Sequence, residues 1–226
     1  MPTFVVRVWV PDRPGALGAV ASRIGAVRGD LTGIDILERG GGRAIDELVV
    51  ELPDPGLVPL LVQEVGEVDG VDVEDVRTAP DRGTDARLDA LETAVALVSQ
   101  HSTGALLDDL VRNARVDFEA DWAAVVDLSS PTPLISVGAT PPGPWLSAFV
   151  AGSRAAVELS HNREGTRSEG PDDVAWAELE AAALVCVLGR RGRPWRARER
   201  KQLAVLARIV DLRWVELAQR PAATAR

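Results

Sequence analysis

The sequence feature that most constrains the fold is an apolar run that ends abruptly in a turn. The run extends from Phe4 to Val10, and Pro-Asp-Arg-Pro-Gly follows at positions 11–15. Apolar residues then recur at helical spacing, at Leu17, Val20 and Ile24. We therefore predict a strand, a tight turn and a helix, with Pro14 in the first helical turn, where its missing N–H needs no partner.

The turn also has the chemistry of a site for a small zwitterion. Free amides at a helix start, here those of Gly15, Ala16 and Leu17, can bind a carboxylate. Asp12 places a negative charge beside them, so the loop could hold both ends of a free amino acid. The same connection also joins a strand to a helix for purely mechanical reasons, and both interpretations remain open at this point.

The pattern after the first helix predicts the rest of a small domain. Two strand-like runs are joined by three glycines at positions 40–42, which favours a hairpin. A helix-period run from Leu57 to Val65 and a last strand from Val71 to Arg77 follow. The order βαββαβ indicates a ferredoxin-like antiparallel sheet with two helices on one face. We place Asp46, which interrupts the second run of the hairpin, near an edge or an end.

The simplest strand order for this arrangement, 4-1-3-2, places the second strand at an edge of the sheet. The segment Leu31 to Leu37 in that strand is too apolar to remain open. We therefore predict a homodimer in which the strand pairs with its copy in another chain.

A second α+β region is predicted after a polar linker. We assign residues 1–79 to the first domain, 80–85 to the linker, 86–220 to the second domain and 221–226 to a tail. In the second domain, helical stripes are followed by strands at 122–128 and 134–137, a helix at 145–157, strands within 174–188 and a closing helix at 197–218. One stripe consists of Leu88, Leu91, Val95 and Val98. Residues 163–173 are polar and are predicted to form a loop.

Composition bounds the environment and the chemistry. The chain has 226 residues, a formal net charge of −9 and one cysteine, which excludes an internal disulfide. Its longest apolar stretch is far shorter than the roughly 20 residues that span a bilayer, and its first residues lack the basic start of an export signal. We expect a cytoplasmic protein without a membrane partner.

Catalytic machinery is not predicted. The sequence has no phosphate-binding glycine loop, no metal-ligand cluster and no pairing of a nucleophile with a base, so we expect no catalytic residues, no metal and no cofactor. Cys186 lies in an apolar run and is interpreted as an inert core thiol. We expect that the protein is not an enzyme.

A basic cluster precedes and opens the last helix. It consists of Arg190, Arg191, Arg193, Arg196, Arg198, Arg200 and Lys201. Basic charge at a helix start opposes the helix dipole, so either acidic residues of the same chain or an anionic partner should compensate it. Because no recognised nucleic-acid motif is present, we favour the intramolecular alternative and do not expect specific nucleic-acid binding.

Residues 3–78 resemble an ACT domain, a small regulatory fold whose first loop reads Asp-Arg/Lys-Pro-Gly-x-Leu, here Asp12 to Leu17. The resemblance implies that an amino acid or similar metabolite binds between this loop and the second strand of a partner domain. The implied contacts are Asp12, Arg13, Pro14, Gly15, Ala16, Leu17, Asp30 and Leu31. The Gly-x-Asn start of that strand is replaced here by Gly29-Asp30-Leu31, so Asp30 or Asp35 would supply the polar contact.

The second region resembles a GAF-like domain. The resemblance lies in the strand Leu184 to Leu188, the glycine-containing turn at 189–192 and the Pro194-Trp195 entry into the last helix. Together the two resemblances imply a regulatory protein that senses an amino acid through one domain and senses or transmits through the other. One alternative is a dimerisation and protein-interaction module without a small-molecule ligand, and another is a nucleic-acid-associated regulator that uses the C-terminal arginine cluster.

Overall fold

The computed structural model describes residues 1–79, 86–130, 132–161 and 173–219. The chain divides into two compact units, the first comprising Met1–Ala86 with Arg196–Arg198 and the second the remainder. The predicted linker at 80–85, positions 163–172 of the predicted loop and the tail at 221–226 lie outside the described residues. None of the described helices is long and apolar enough to cross a membrane.

The first unit has the predicted βαββαβ order. Its elements are β1 (Thr3–Pro11), α1 (Ala16–Ala26), β2 (Asp30–Gly40), β3 (Arg43–Glu51), a short 3-10 turn (Pro55–Leu57), α2 (Val58–Gly66) and β4 (Asp72–Thr78). The four strands form an antiparallel sheet in the order β2-β3-β1-β4, as predicted. The hairpin between β2 and β3 turns at Gly41 and Gly42, both of which have positive φ.

The core of this unit lies between one face of the sheet and the two helices. Alternate residues of β1, among them Val6, Val8 and Val10, pack with Val20 of α1 and Leu61 of α2. These side chains are almost completely removed from solvent, as the apolar periodicity of each segment predicts. Burial of this shared face is the main source of the unit's stability.

The opposite face of the sheet carries a buried ion pair. Arg7 of β1 donates from Nη2 to Oε1 of Glu47 on β3 at 2.8 Å, and Arg77 of β4 pairs with the same oxygen at 2.9 Å. Arg7 is fully buried. The pairing across three strands satisfies a guanidinium that could not remain buried alone.

Helix α1 begins two residues later than predicted. Gly15 has φ of 87°, which is left-handed, and is the residue immediately before the helix. A left-handed residue cannot continue a right-handed helix, so Pro14 lies in the turn rather than in the first helical turn. The prediction of Pro14 as a helical residue was wrong, and the glycine that follows it sets the true start.

The predicted position of Asp46 was also wrong. It lies in the middle of β3, an inner strand, opposite Val8 of β1 and Ile36 of β2. It shares the helix-facing side of the sheet with Leu48, which is fully buried. The prediction of an edge or end position assumed that a carboxylate must reach solvent, which this one does not.

The second unit is a separate α+β arrangement. Its elements are α3 (Ala86–Val98), α4 (Thr103–Asp117), β5 (Trp122–Val126), β6 (Ile135–Gly138), α5 (Gly143–His161), β7 (Val174–Leu179), β8 (Leu184–Gly189) and α6 (Ala197–Ala218). The strands form a second antiparallel sheet in the order β6-β5-β8-β7. The protein is therefore a mixed α+β chain with two four-stranded antiparallel sheets.

Both faces of the second sheet are covered. One core includes Leu110 of α4, Cys186 of β8 and Leu203 of α6. The other lies on the opposite face and includes Trp122 of β5 and Leu146 of α5. Alternation along β5 and β8 divides their residues between these two cores, which explains why both strands are completely buried.

The apolar stripe on α3 does not face this core. Its members are all exposed: Leu88, Leu91, Val95 and Val98. Thr93 and Leu97 are buried instead, and the Thr93 hydroxyl donates to Oδ2 of Asp117 at 2.7 Å. The residues near Leu97 along the helix include small alanines, which give a weak hydrophobic pattern. The spacing of large apolar residues therefore predicted the wrong face of α3 as the buried one.

Candidate functional site in the loop between β1 and α1

The loop from Pro11 to Gly15 is held at the end of the first sheet by the hairpin beside it. The amide of Asp12 donates to the Gly42 carbonyl at 2.9 Å, and that of Arg13 donates to the Pro11 carbonyl at 2.8 Å. Because Gly42 directly precedes β3, the loop keeps a fixed position relative to two neighbouring strands.

The turn before β4 supports the same loop. Arg43 donates from Nη2 to the Gly70 carbonyl at 3.0 Å and to Oδ2 of Asp72 at 2.6 Å. A Cβ at Gly70 would lie only 2.8 Å from Cγ of Pro11, and Gly70 has positive φ. Glycine is therefore required for the close approach of this turn to the loop.

The start of α1 is open. No other atom lies within 4 Å of the place where a Cβ would stand on Gly15 or Gly18. The amide of Ala19 bonds to the Gly15 carbonyl at 3.0 Å, so the earlier amides of the first turn are not used within the helix. One of the three predicted amides is used elsewhere, because Ala16 donates to the Arg13 carbonyl at 3.3 Å. The amides of Gly15 and Leu17 are therefore the better donors for a ligand.

The polar side chains of the loop lie at the surface. Asp12, Arg13 and Pro14 are exposed. Arg13 pairs with Asp69 at 3.5 Å, but both side chains are largely in solvent, where such pairs contribute little. Asp12 thus lies three residues before Gly15 in the same loop, and its side chain is accessible from outside.

The other two predicted contacts lie at the far end of the same sheet. Asp30 and Leu31 begin β2 and stand opposite Glu51 and Val50, whereas the loop end of the sheet is marked by Arg43. Eight residues of strand separate Arg43 from Glu51, which corresponds to about 27 Å. One chain therefore does not bring Asp30 and Leu31 to the loop.

Asp46 is a polar residue near this loop that sequence reasoning did not select. It is only 4% exposed, and its Oδ1 is buried without a hydrogen-bond partner among the described residues. Burial raises the pKa of the Asp46 carboxyl, the positive charge of Arg39 opposes the rise, and the negative charge of Asp12 adds to it. The sequence does contain a signal for this residue, because Asp46 lies between Ala44 and Leu48 on the face of the strand that is otherwise apolar.

Cys186, the candidate nucleophile of the second unit, lies in its core. Cys186 is fully buried, and burial raises the pKa of its thiol to about 12. The raised pKa favours the protonated thiol at neutral pH, and the burial of Cys186 confirms the prediction of a core thiol. Among the described residues, no group of three or more His, Cys, Asp and Glu side chains could hold a metal ion.

Two members of the basic cluster are paired within the second unit. Arg190 donates to Oε2 of Glu199 at 2.8 Å and to the Phe118 carbonyl at 3.0 Å, and it stacks over the Trp195 ring at 4.2 Å. Arg193 pairs with Glu119 at 2.6 Å. Acidic groups of the same chain therefore compensate these two arginines, as predicted.

Comparisons with known proteins give weak likenesses. No family model matches the sequence, and no curated protein matches it. Among solved structures, a formyltetrahydrofolate deformylase from Pseudomonas putida is 19% identical over 43% of this chain and 39% of its own, with a TM-score of 0.28. A protein of unknown function from Galdieria sulphuraria is 14% identical over 70% of this chain and 94% of its own, with a TM-score of 0.32. Neither likeness assigns the chain to a family.

Proposed function

We propose that the protein is a non-catalytic regulator whose first unit binds an amino acid or similar small metabolite at the loop between β1 and α1. The observation that supports this most is the open start of α1 beside an accessible carboxylate. Gly15 is left-handed and exposed, a Cβ there would meet no atom within 4 Å beyond its chain neighbours, and the exposed Asp12 lies three residues before it in the same loop. The loop thus provides amide donors for an anionic group and the Asp12 carboxylate as an acceptor for a cationic group.

The proposed ligand pose follows from these charges. The α-carboxylate accepts from the amides of Gly15 and Leu17, where the helix dipole also favours negative charge. The α-ammonium donates to the carboxylate of Asp12. A charge-assisted hydrogen bond of this kind contributes roughly 1.5 to 3 kcal/mol, which is enough for selective binding of a small molecule.

We further propose that the site is completed by a second copy of the chain. Ile34 and Ile36 on the edge strand β2 are 43% and 36% exposed, so one face of the edge presents apolar side chains, with the charged Asp35 between them on the other face. If two β2 strands pair antiparallel about a twofold axis, the start of one strand comes beside the end of the other. Asp30 and Leu31 of the copy would then reach the loop that lies about 27 Å from them in their own chain.

The second unit is proposed to sense or transmit the signal, as its resemblance to GAF-like domains implies. This unit has a four-stranded sheet and hydrophobic cores of its own, which supports a separate role for it. The exposed stripe on α3, which includes Leu91 and Val95, favours a second candidate function, that of an interaction module without a ligand. The internal pairing of Arg190 and Arg193 favours neither DNA nor RNA as a partner.

A thermal-shift screen of the full chain against the common amino acids tests the proposal. We expect a small set of amino acids to raise the midpoint of unfolding in a concentration-dependent manner, because ligands that bind only the folded state stabilise it by mass action. The N-acetyl and amide derivatives of each hit are the matched controls, since each removes one charge of the zwitterion. If no amino acid shifts the midpoint, or if both derivatives act as well as the parent, the proposed site is wrong.

A further inference from the structure

The inference concerns Oδ1 of Asp46, one of the two oxygens of its carboxylate. Its Oδ1 is enclosed without a hydrogen bond, on the face of β3 that packs under the helices. Leaving such an oxygen unsatisfied costs free energy, and natural folds keep the arrangement mainly where it has a role. A carboxylate oxygen only accepts hydrogen bonds, so the missing partner must be a donor, and a cation is the strongest donor.

Asp46 lies close enough to the proposed site for the two carboxylates to affect each other. The negative charge of Asp12 contributes to the raised pKa of the Asp46 carboxyl. Val8, directly opposite Asp46, packs in the same core as Ala16 in the first turn of α1. Asp46 is three residues along β3 from Arg43, which stands opposite Pro11 at the loop end of the sheet, a separation of about 10 Å.

The route to Asp46 runs along the edge of the sheet. Ile36 of β2 stands beside Asp46 on the same face and is 36% exposed. Because no strand of the described chain covers β2 on its outer side, the Ile36 side chain can turn outward. A ligand side chain that enters there would compete with the exposed Arg39, whose positive charge acts on Asp46.

We propose that the site selects amino acids with a basic side chain, and that Asp46 accepts a hydrogen bond from the amine or guanidinium group of that side chain. This rests on the proposed function, because Asp12 and the helix amides hold the α-ammonium and α-carboxylate of the same ligand. Asp46 is then a specificity-determining residue, and its burial makes the contact strong because water does not compete.

Matched pairs of ligands test the proposal by calorimetry. The pairs are L-arginine with L-citrulline and L-lysine with L-norleucine, which differ mainly in side-chain charge. We expect the full-length protein to bind the basic member of at least one pair about tenfold more tightly or better. In Asp46→Asn the preference should fall to near unity while the affinity for the neutral member stays the same. A merely structural role for Asp46 would change both affinities together.

The control is Asp69→Asn, which removes a negative charge near the loop from a side chain that is 99% exposed. It should keep the preference for the basic member. Equal affinity of the wild-type protein for both members of each pair, or an unchanged preference in Asp46→Asn, overturns the role of Asp46 but leaves amino-acid binding intact. If no amino acid binds at all, both proposals are wrong. The wild-type ratio tests the selectivity for a basic side chain, and the ratio in Asp46→Asn assigns that selectivity to Asp46.

Discussion

Asp46 is a residue for which folding and ionisation oppose each other. Its carboxyl has a pKa above the ordinary value of 3.8 in the folded protein, because burial disfavours the charged form. The folded state therefore holds the proton more tightly than the unfolded chain does. The Asp46 carboxyl therefore stabilises the fold most at pH below about 3.8. This contribution to the free energy of unfolding is lost progressively as the pH rises through the folded pKa.

The substitution Asp46→Asn should remove this dependence. At neutral pH we expect the variant to have a free energy of unfolding about 1 kcal/mol or more above that of the wild type, because it no longer buries an unpaired charge. The difference should shrink as the pH falls through the raised pKa of Asp46, because the carboxyl then takes up its proton. Urea unfolding from pH 4 to pH 8 measures it, with Asp69→Asn as the control. Parallel curves for wild type and Asp46→Asn would show that the carboxyl is not desolvated.

Gly189 is a second residue whose side chain, here a hydrogen atom, is required for the packing around it. A Cβ at this position would lie 2.3 Å from the ring of Trp122, so any side chain must displace a buried indole. We expect Gly189→Ala to lower the free energy of unfolding by about 1 to 3 kcal/mol through overpacking. Thermal and urea unfolding of the full chain measure the change.

The matched control for Gly189 is Gly152 in α5, where a Cβ would meet no atom within 4 Å. Gly152→Ala should be neutral or stabilise by up to about 1 kcal/mol, because alanine favours helix. A Gly189→Ala protein as stable as the wild type would mean that Trp122 does not pack as described.

At the scale of elements, the orientation of α3 is the feature that sequence periodicity could not provide. Leu97 is fully buried, whereas Leu91 is 65% exposed. We expect Leu97→Ala to cost about 2 to 5 kcal/mol of stability through loss of core contacts and the cavity left behind. Leu91→Ala should change the free energy of unfolding by no more than about 0.5 kcal/mol, because Leu91 is a surface residue. Equal costs at the two positions would contradict the orientation of the helix.

Most elements of both units could be predicted from periodicity and turn residues, because each segment carries its own pattern. The start of α1 could not, since Pro14 suits both a helical turn and the turn before it, and only the φ of Gly15 distinguishes them. The loop at Asp12 could likewise be proposed from local chemistry. Asp46 could not, because its burial depends on residues distant in sequence, on β1 and β2.

At the scale of the whole molecule, the apolar edge of β2 predicts association of two chains. Ile34 lies on this edge, and Ile34→Lys should prevent strand pairing because an edge lysine would have to be buried against a neighbour. We expect a dimeric mass for the wild-type chain and a monomeric mass for the variant in light scattering at tens of micromolar, about the range where specific association is visible.

The control for this edge is Leu60→Lys on α2, since Leu60 is exposed to nearly the same degree, 42%, on another part of the same unit. It should leave the dimer unchanged. A wild-type chain that remains monomeric, or a dimer that Ile34→Lys does not affect, would exclude β2 as the interface and leave Asp30 and Leu31 without a role at the loop.

The measurement that tests the central claim most directly is calorimetric titration of the amino acid selected by the thermal-shift screen into the wild-type chain, Asp12→Ala and Asp69→Ala. The account predicts that Asp12→Ala weakens binding about tenfold or more, because a charge-assisted hydrogen bond to the α-ammonium is lost. Asp69→Ala, which removes an exposed charge near the loop, should bind as the wild type does. Equal affinity in the wild type and Asp12→Ala would contradict the account and place the ligand elsewhere.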